Sequence, residues 1–202
     1  MSKKRIILAS ASKRRSEILT SCGITHIVIP SNVKEIFPKK KHLVSSVVKN
    51  AERKVRSVFK SVQEKSENGI IIGADTLVAL GSEVVGKPKS AEEAKKLLRK
   101  FSGSEIDVYT GLFVIDTQTV KSSSAHEKSS LHVKEIEERN IDKYFDKLGA
   151  FDKAGGFSIE GIGSFIFDNI KGSYFNILGL PMGRLNSLFS EINLNLLDFC
   201  LK

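Results

Sequence analysis

The stretch from residue 70 to residue 80 constrains the fold of this chain most strongly. It is rich in β-branched and other apolar residues and contains no proline. Such a stretch predicts a central β-strand that is buried on both faces. Asp75 interrupts it, within Gly73-Ala74-Asp75-Thr76. A buried carboxylate must be paired, hydrogen-bonded or bound to a metal ion, so Asp75 is explained equally well by a structural or a catalytic role.

Strand-like and helical patterns alternate along the rest of the chain. Strands are predicted over residues 5–9, 26–29, 70–80, 83–85, 107–116, 131–136 and 163–170. Helices are predicted from a cap at Ser12 to a stop at Gly23, over residues 40–65, 90–101 and 137–148, and from Pro181 onward. The serine-rich residues 122–130 are interpreted as a loop or strand connection. This order predicts an α/β protein with a mixed central sheet flanked by helices.

Composition narrows the class of protein. The 202 residues are 41% hydrophobic and 27% charged, which excludes a disordered or fibrous chain. No linker or repeat divides them, so a single domain over residues 1–202 is predicted. No apolar run is long enough to span a bilayer. The apolar run after the basic N-terminus stops at Ser10 and is followed by more basic residues, so no hydrophobic region of a signal peptide forms and none is predicted. Two cysteines outside any CxxC unit favour a reducing, cytoplasmic location. The four histidines show no metal-ligand spacing and are interpreted as surface or loop residues.

The net charge of +9 leaves the partner open at this level. A basic chain can bind nucleic acid, an anionic membrane or a small polyanion, and a solvated basic face is the plain alternative. Aromatic residues are only 7%, tryptophan is absent and no RNA-binding motif is present, so neither a nucleic-acid nor a membrane partner is predicted.

The turn after the first predicted strand has the character of an anion site. Its sequence is Ser10-Ala11-Ser12-Lys13-Arg14-Arg15. Basic residues are unfavourable at the positive end of a helix dipole, so a bound anion explains them better than a helix start alone. Arginine also offers phosphate a planar, multidentate contact.

Two further segments carry polar residues that a core does not need. Lys87 lies in Gly86-Lys87-Pro88, just after a short predicted strand. Residues 152–161 are glycine-rich and contain Asp152, Lys153 and Glu160. Each signal is weak alone, and no Walker A loop or GxGxxG motif is present.

Taken in order, these features resemble the Maf family of nucleoside triphosphate pyrophosphatases, which is related in fold to the inosine triphosphatases. The matching positions span nearly the whole chain: Leu8-Ala9-Ser10, Ser12, Arg14-Arg15, Glu35, Lys54, Gly73-Ala74-Asp75-Thr76, Gly86-Lys87-Pro88, Ser102-Gly103, Thr110-Gly111, Asp152-Lys153-Ala154-Gly155, Gly172-Ser173-Tyr174 and Gly179-Leu180-Pro181. The resemblance implies an elongated mixed sheet, two lobes with a cleft between them, and a homodimer.

The resemblance also implies a role for each matching site residue. Asp75 would be the general base that activates water, and Glu35 would help Asp75 to hold a divalent cation, Mg²⁺ or Mn²⁺. The triphosphate would be bound by Arg14, Arg15, Lys54 and Lys87, with Ser12 at the helix start and Thr76 as a further substrate contact. Water would attack the α-phosphate, and pyrophosphate would leave.

Base preference remains open at this level. Arg14 and Thr76 resemble the dTTP/UTP group of the family, whereas Glu160 stands where that group resembles glutamine. A carboxylate only accepts hydrogen bonds and so suits the N1–H and 2-amino edge of guanine, as in the family's 7-methyl-GTP group. We therefore expect a dTTP/UTP-type enzyme with altered or broadened base choice, with a 7-methyl-GTP pyrophosphatase as the alternative.

A non-catalytic role is the second alternative. The Maf family is linked to inhibition of septum formation, and Lys34 stands beside Glu35 where an acid is common. A nucleotide-binding regulator of cell division is therefore a competing hypothesis. The presence of Asp75 argues against it, because a binding protein has no need of a base.

Overall fold

The computed structural model describes residues 4–65, 68–148 and 154–201. The strands are β1 (Arg5–Leu8), β2 (His26–Val28), β3 (Gly69–Leu80), β4 (Glu83–Val85), β5 (Glu105–Asp116), β6 (Ser122–Val133) and β7 (Phe167–Lys171). The α-helices are α1 (Lys13–Ser21), α2 (Leu43–Glu64), α3 (Ala91–Phe101), α4 (Glu138–Leu148), α5 (Tyr174–Ile177) and α6 (Met182–Glu191). Short 3-10 helices lie at Lys40–His42, Ala154–Gly156, Gly161–Ile166 and Leu196–Phe199.

The strands form one mixed sheet in the order β2-β1-β3-β5-β6-β7, with β4 also paired to β3. β1 is parallel to β2 and β3. The β3–β4, β3–β5, β5–β6 and β6–β7 pairs are antiparallel. The predicted α/β class with a mixed, helix-flanked sheet is confirmed.

Local signals set the helix ends where the sequence predicts them. Ser12 caps α1, and Gly23 beyond its last turn has a left-handed φ of 71°. At α3, the Ser90 hydroxyl accepts the Glu93 N–H at 3.2 Å, and the Glu93 carboxylate accepts the Lys89 N–H at 2.7 Å. No helix within the described ranges is both long and apolar enough to cross a membrane.

The two faces of β3 meet different partners because successive side chains point in opposite directions. Ile71 packs with Val55 and Val58 of α2 in one apolar cluster. Ile70 and Ile72 belong to the larger cluster on the other face, with side chains from α1, α3 and α6. Each fully buried side chain of this kind contributes roughly 1.5–3 kcal/mol of transfer free energy. Both faces of the central strand are thereby covered, as its apolar sequence predicts.

One edge of β3 is open in the middle. β5 pairs with the other edge along its whole length, from Ile70 to Leu80. On the open side, β1 pairs only as far as Ile72, and β4 begins to pair at Val78. Among the described strands, residues 73–77 therefore face a gap in the sheet. The chain leaves β1 and β4 at this gap, so residues 10–15 and Lys87 both follow strand ends beside Asp75.

Two predicted elements are corrected by the structure. The prediction of a loop over residues 122–130 and a strand over residues 131–136 is wrong, because β6 runs from Ser122 to Val133. Its first half alternates exposed and half-buried residues, all polar except Ala125, and is held by the ladder to β5. Backbone pairing with β5, rather than the strand propensity of these residues, determines that this segment is a strand.

The predicted strand over residues 163–170 is also wrong at its start. Residues Gly161–Ile166 form a 3-10 helix, and β7 begins only at Phe167. The Ser164 hydroxyl donates to the Gly161 carbonyl at 2.7 Å, and the Gly163 N–H donates to the Glu160 carbonyl at 3.1 Å. These local hydrogen bonds hold the turn until β6 supplies a strand partner.

Candidate active site

A cleft of about 650 Å³ opens at the gap in the sheet. Its walls carry the cationic residues Lys13, Arg14, Arg15, Lys54 and Lys87 and the acidic residues Glu17, Glu35 and Asp75. Apolar side chains also line it: Val78, Val108, Phe157, Ile159, Ile177 and Leu178. Cations outnumber acids in this wall, and an apolar surface lies beside them. Such a cleft suits a polyanion that carries a flat organic group.

Asp75 is buried beside α2, with 3% of its surface exposed. Lys54 Nζ lies 2.7 Å from Asp75 Oδ1 and also donates to the Ala74 carbonyl at 3.2 Å. Asn50 Nδ2 donates to Asp75 Oδ2 at 2.8 Å. Both carboxylate oxygens are therefore fixed, and each keeps a further lone pair for water or a cation. The Asp75 charge is therefore paired inside the protein, and the same carboxylate also lines the cleft. Its burial is thus compatible with a role in chemistry.

Two glycines allow α2 to reach Asp75. A Cβ at Gly73 would lie 2.7 Å from the Ala51 carbonyl oxygen, and one at Gly111 would lie 2.3 Å from the Val47 carbonyl carbon. Gly111 is the residue paired with Asp75 across the β3–β5 ladder. The helix backbone thus lies directly on the sheet around Asp75. Close approach at these glycines brings Lys54 and Asn50, one helical turn apart, to the same carboxylate.

Glu35 reaches the same lysine from the segment between β2 and α2. Its Oε1 atom lies 2.6 Å from Lys54 Nζ, and about half of the side chain is exposed. Partial burial acts to raise the pKa of the Glu35 carboxyl, but the hydrogen bond and charge of Lys54 outweigh it, together with the charges of Lys87 and Arg15. The pKa of Glu35 is therefore held below its ordinary value. The two acids meet at one ammonium group, so they lie next to each other.

Arg15 is held rigidly in the wall of the cleft, with 9% of its surface exposed. Its Nε donates to the Gly179 carbonyl at 2.8 Å, and its two Nη atoms donate to Ser10 Oγ at 3.1 Å and Thr76 Oγ1 at 3.0 Å. Burial lowers the pKa of Arg15, an effect that the charges of Asp75 and Glu35 oppose. An arginine starts so far above neutral pH that it stays charged. Its position is therefore set before any ligand arrives.

Thr76 points to the face of the sheet opposite Asp75. Its hydroxyl meets Arg15 and lies 3.0 Å from the Thr110 hydroxyl, which in turn donates to the Asn176 carbonyl at 3.2 Å. Thr76 thus lines the cleft and also orients Arg15. Its predicted contact with substrate stays a prediction.

Ser12 and Arg14 mark the start of α1. The Ser12 hydroxyl faces the Arg15 N–H at 3.5 Å, a long capping contact. Arg14 Nη2 donates to Ser158 Oγ at 3.0 Å and lies 3.1 Å from Glu160 Oε2. Arg14 therefore links the anion turn to Ser158 and Glu160, within the glycine-rich segment identified in the sequence.

Glu160 lies on a neighbouring depression rather than in the wall of the cleft. That depression is lined by Ile159, Glu160, Phe167, Asp168, Ile170 and Tyr174, among others. Burial and the nearby Glu160 charge raise the pKa of Tyr174, and Arg14 acts in the opposite sense. In this arrangement the carboxylate is directed to Arg14 instead of to the cleft interior.

Lys87 follows β4 and lines the cleft. The Gly86 carbonyl before it accepts the Gly155 N–H at 3.1 Å, which joins two of the predicted segments. A Cβ at Gly86 would lie 3.0 Å from the Phe37 ring, so the Glu35 segment packs on this turn. Asp152 and Lys153, part of the same predicted motif, lie outside the described residues.

The structure thus gathers Ser12, Arg14, Arg15, Glu35, Lys54, Asp75, Thr76 and Lys87 around one cleft and leaves Glu160 at its side. Sequence reasoning missed Asn50, which is 1% exposed. The signal was present, since Asn50 is a polar residue on the apolar face of a predicted helix, four residues before Lys54. Ser10 belongs to the predicted anion turn, and its hydrogen bond to Arg15 is added by the structure.

The donor set suits a hard divalent cation. Glu35 and Asp75 offer adjacent carboxylates, and Mg²⁺ or Mn²⁺ is bound by one or two carboxylates together with substrate phosphates. No cluster of three or more potential ligand side chains occurs among the described residues, so a cage made by protein alone is absent there. The residues present therefore fit a cation that is shared with a phosphorylated substrate.

Comparison with known proteins identifies the family of this chain. A family model described as "Maf-like protein" matches residues 5–192. A Caldicellulosiruptor bescii protein named "dTTP/UTP pyrophosphatase" is 37% identical over 194 residues, 96% of this chain and 98% of that protein. Proteins of the same name from a Thermoanaerobacter species and Clostridium botulinum (strain Hall) are 39% and 38% identical, covering 93% and 100% of their own lengths. With a matching family model over most of its length and relatives this similar end to end, the chain belongs to the Maf family.

Proposed function

We propose that this protein is a nucleoside triphosphate pyrophosphatase of the dTTP/UTP type, which converts a (deoxy)nucleoside triphosphate to the monophosphate and pyrophosphate. The observation that carries the proposal is the buried Asp75 carboxylate, fixed by Lys54 and Asn50, in a cleft with Arg14, Arg15 and Lys87. The relatives named dTTP/UTP pyrophosphatase support the same activity.

The residues divide the chemistry between them. Asp75 accepts a proton from water as the water oxygen bonds to the α-phosphorus. The bond from that phosphorus to the bridging oxygen breaks, and the bridging oxygen leaves with pyrophosphate. Arg15, already oriented by three hydrogen bonds, stabilises the developing negative charge together with Lys87 and Arg14 in the cleft wall.

A divalent cation is part of the proposal. Mg²⁺ or Mn²⁺ held by Glu35 and Asp75 together with phosphate oxygens would neutralise charge on the leaving pyrophosphate. The lowered pKa of Glu35 keeps this carboxylate ionised and ready to bind at neutral pH.

The apolar wall supports a bound nucleoside. Val78, Val108, Phe157 and Ile159 give a base a surface to pack on. Glu160 is the one marker that favours 7-methyl-GTP, and its carboxylate is engaged by Arg14 outside this wall. We therefore place pyrimidine nucleotides first and keep 7-methyl-GTP as the alternative.

The test is pyrophosphate release from dTTP, UTP, CTP, GTP and 7-methyl-GTP, with Mg²⁺, Mn²⁺ or chelator. We expect turnover of dTTP and UTP with metal, and a loss of roughly 10²–10⁴-fold in Asp75→Asn. Asp198→Asn, an exposed carboxylate outside the cleft, is the matched control. Turnover of 7-methyl-GTP alone would establish the alternative substrate.

A folded wild-type protein that hydrolyses none of these nucleotides would favour the regulatory hypothesis, especially if it binds them. The homodimer implied by the family and the cytoplasmic location stay predictions. Sedimentation of the full chain and fractionation of cells check them.

A further inference from the structure

The segment that carries Glu35 has little structure of its own. Residues 29–39 form neither helix nor strand, although Glu35 must be held at a fixed place beside Asp75. Ordering each residue of such a segment costs conformational entropy. The segment therefore needs specific anchors near Glu35.

Asn50 supplies an anchor at the residue next to Glu35. Its Oδ1 accepts the Ile36 N–H at 2.8 Å, and its Nδ2 donates to the Ile36 carbonyl at 2.9 Å. The second hydrogen of the same Nδ2 is donated to Asp75 Oδ2 at 2.8 Å. One amide thus satisfies both backbone groups of Ile36 and one oxygen of Asp75.

The chemistry of these partners fixes the orientation of the amide. The NH₂ group must face the two acceptors, the Ile36 carbonyl and the Asp75 carboxylate, and the oxygen must face the Ile36 N–H. Aspartate at this position would lack both donors, and leucine would make none of the three hydrogen bonds. Asn50 is also 1% exposed, so water cannot replace the lost bonds without opening the site.

We infer that Asn50 is a positioning residue, which couples the Glu35 segment to Asp75 and so holds the two carboxylates in register for the reaction. The inference rests on the proposed function for its effect on turnover. The anchoring of the segment at Ile36 does not depend on the proposed function. Asn50 takes no proton and forms no bond to substrate in the proposed reaction, and its effect is exerted through Asp75 and Glu35.

The test compares Asn50→Leu and Asn50→Asp with Val58→Ala. Val58 lies on the same helix, is 2% exposed and packs away from the cleft, so its truncation controls for loss of helix stability. We expect both Asn50 variants to lower kcat for dTTP roughly 10- to 100-fold, a size typical of groups that orient catalytic ligands. The KM for dTTP should stay within about threefold, because the cationic contacts to phosphate are untouched. Val58→Ala should keep kcat within about twofold at a temperature where it is folded.

Hydrogen exchange at the Ile36 amide gives a readout that does not depend on activity. This N–H should be protected in wild type and Val58→Ala, unprotected in Asn50→Leu, and partly protected in Asn50→Asp, which keeps the acceptor. If the wild-type protein is inactive on every nucleotide while the Ile36 amide still loses protection in Asn50→Leu, the proposed function is wrong. In that case the anchoring of the segment by Asn50 is still confirmed. The inference is overturned if the Asn50 variants keep kcat near wild type in an active enzyme, or if Ile36 exchanges equally in all four proteins.

Discussion

At the scale of single residues, Arg15 shows how a charged side chain becomes part of the fold. All three of its nitrogen positions are used, by Gly179, Ser10 and Thr76. Gly179 has a φ of 95°, and a Cβ there would lie 3.1 Å from Thr76 Oγ1. The guanidinium therefore needs both its own planar shape and a glycine beside it. Lysine carries the same charge but lacks this geometry.

Arg15→Lys should therefore lower kcat/KM for dTTP by roughly 10²–10³-fold, comparable to the loss of one preorganised donor. Steady-state pyrophosphate release measures it, with circular dichroism as the check of folding. Arg184→Lys, an exposed arginine whose pair with Glu127 is 3.7 Å long, is the control and should change little. A value for Arg15→Lys within about threefold of wild type would show that only charge matters at this position.

At the scale of elements, the site depends on how closely α2 lies on the sheet. Gly111 sits opposite Asp75, and its missing side chain leaves room for the helix backbone at Val47. Because backbone atoms rather than a flexible side chain fill this space, the helix itself must move to accept a larger residue. Lys54 and Asn50 would move with it.

Gly111→Ala should cost about 1–3 kcal/mol of unfolding free energy through overpacking, and it should also reduce kcat. Gly183→Ala is the matched control, because nothing lies within 4 Å of its added Cβ and it lies in the first turn of α6. Alanine is favoured over glycine by about 1 kcal/mol in a helix interior and by less in a first turn, so this variant should be unchanged or slightly more stable. Urea unfolding measures the free energy of unfolding of both variants. Equal stability of the two variants would contradict the close approach of α2 to the sheet at Gly111.

The turn between β5 and β6 gives a second element-scale prediction. Asp116 is 2% exposed and accepts hydrogen bonds from Lys4 Nζ at 2.6 Å, the Gln118 N–H at 3.0 Å and the Thr119 hydroxyl at 2.9 Å. Burial acts to raise the pKa of Asp116, but these bonds and the Lys4 charge outweigh it, so the pKa lies below its ordinary value. Its contribution to stability is then complete above the unfolded-state pKa of about 4 and is lost as pH falls through the folded-state pKa.

Asp116→Ala should be less stable than wild type by about 1–3 kcal/mol at pH 7, and the difference should shrink below about pH 4. Urea unfolding at several pH values between 7 and 2.5 measures this. Asp146→Ala, an exposed carboxylate on α4, should show no such convergence. A difference that is constant with pH would mean that Asp116 acts by packing rather than by charge.

At the scale of the whole molecule, the cleft is assembled from parts far apart in the chain. The anion turn follows β1, Lys87 follows β4, and Ile177 and Leu178 come from near the end of the described chain. The gap in the sheet between the ends of β1 and β4 allows these parts to meet beside β3. A ligand that contacts all of them at once should therefore stabilise the entire fold.

A non-hydrolysable dTTP analogue with Mn²⁺ at 100 times its Kd should add about 2.7 kcal/mol to the free energy of unfolding. For a chain of this size that corresponds to a rise in Tm of roughly 5–10 °C. At the same concentration, thymidine or pyrophosphate alone should give smaller shifts, because each reaches only part of the cleft and therefore binds more weakly. Differential scanning calorimetry with and without chelator measures the effect, and a Tm unmoved by any nucleotide would count against a nucleotide site here.

The sequence by itself determined the features that depend on near neighbours. The central strand, the caps at Ser12 and Ser90 and the covered face of α2 follow from local hydrogen bonding and from the periods of strand and helix. The segments around Arg15, Asp75 and Lys87 also stand out in the sequence, and the family resemblance adds a role for each residue. In each case the residues that determine the local structure lie within a few positions of it in the sequence.

Only the tertiary structure decided what depends on partners distant in sequence. The ladder to β5 extends β6 through a polar stretch, and contact with α1 directs Glu160 to Arg14. The close approach of α2 at Gly111 makes Asn50 part of the site. The physical reason is common to all three, because hydrogen bonds and ion pairs between distant residues form only after packing has fixed their distance and direction.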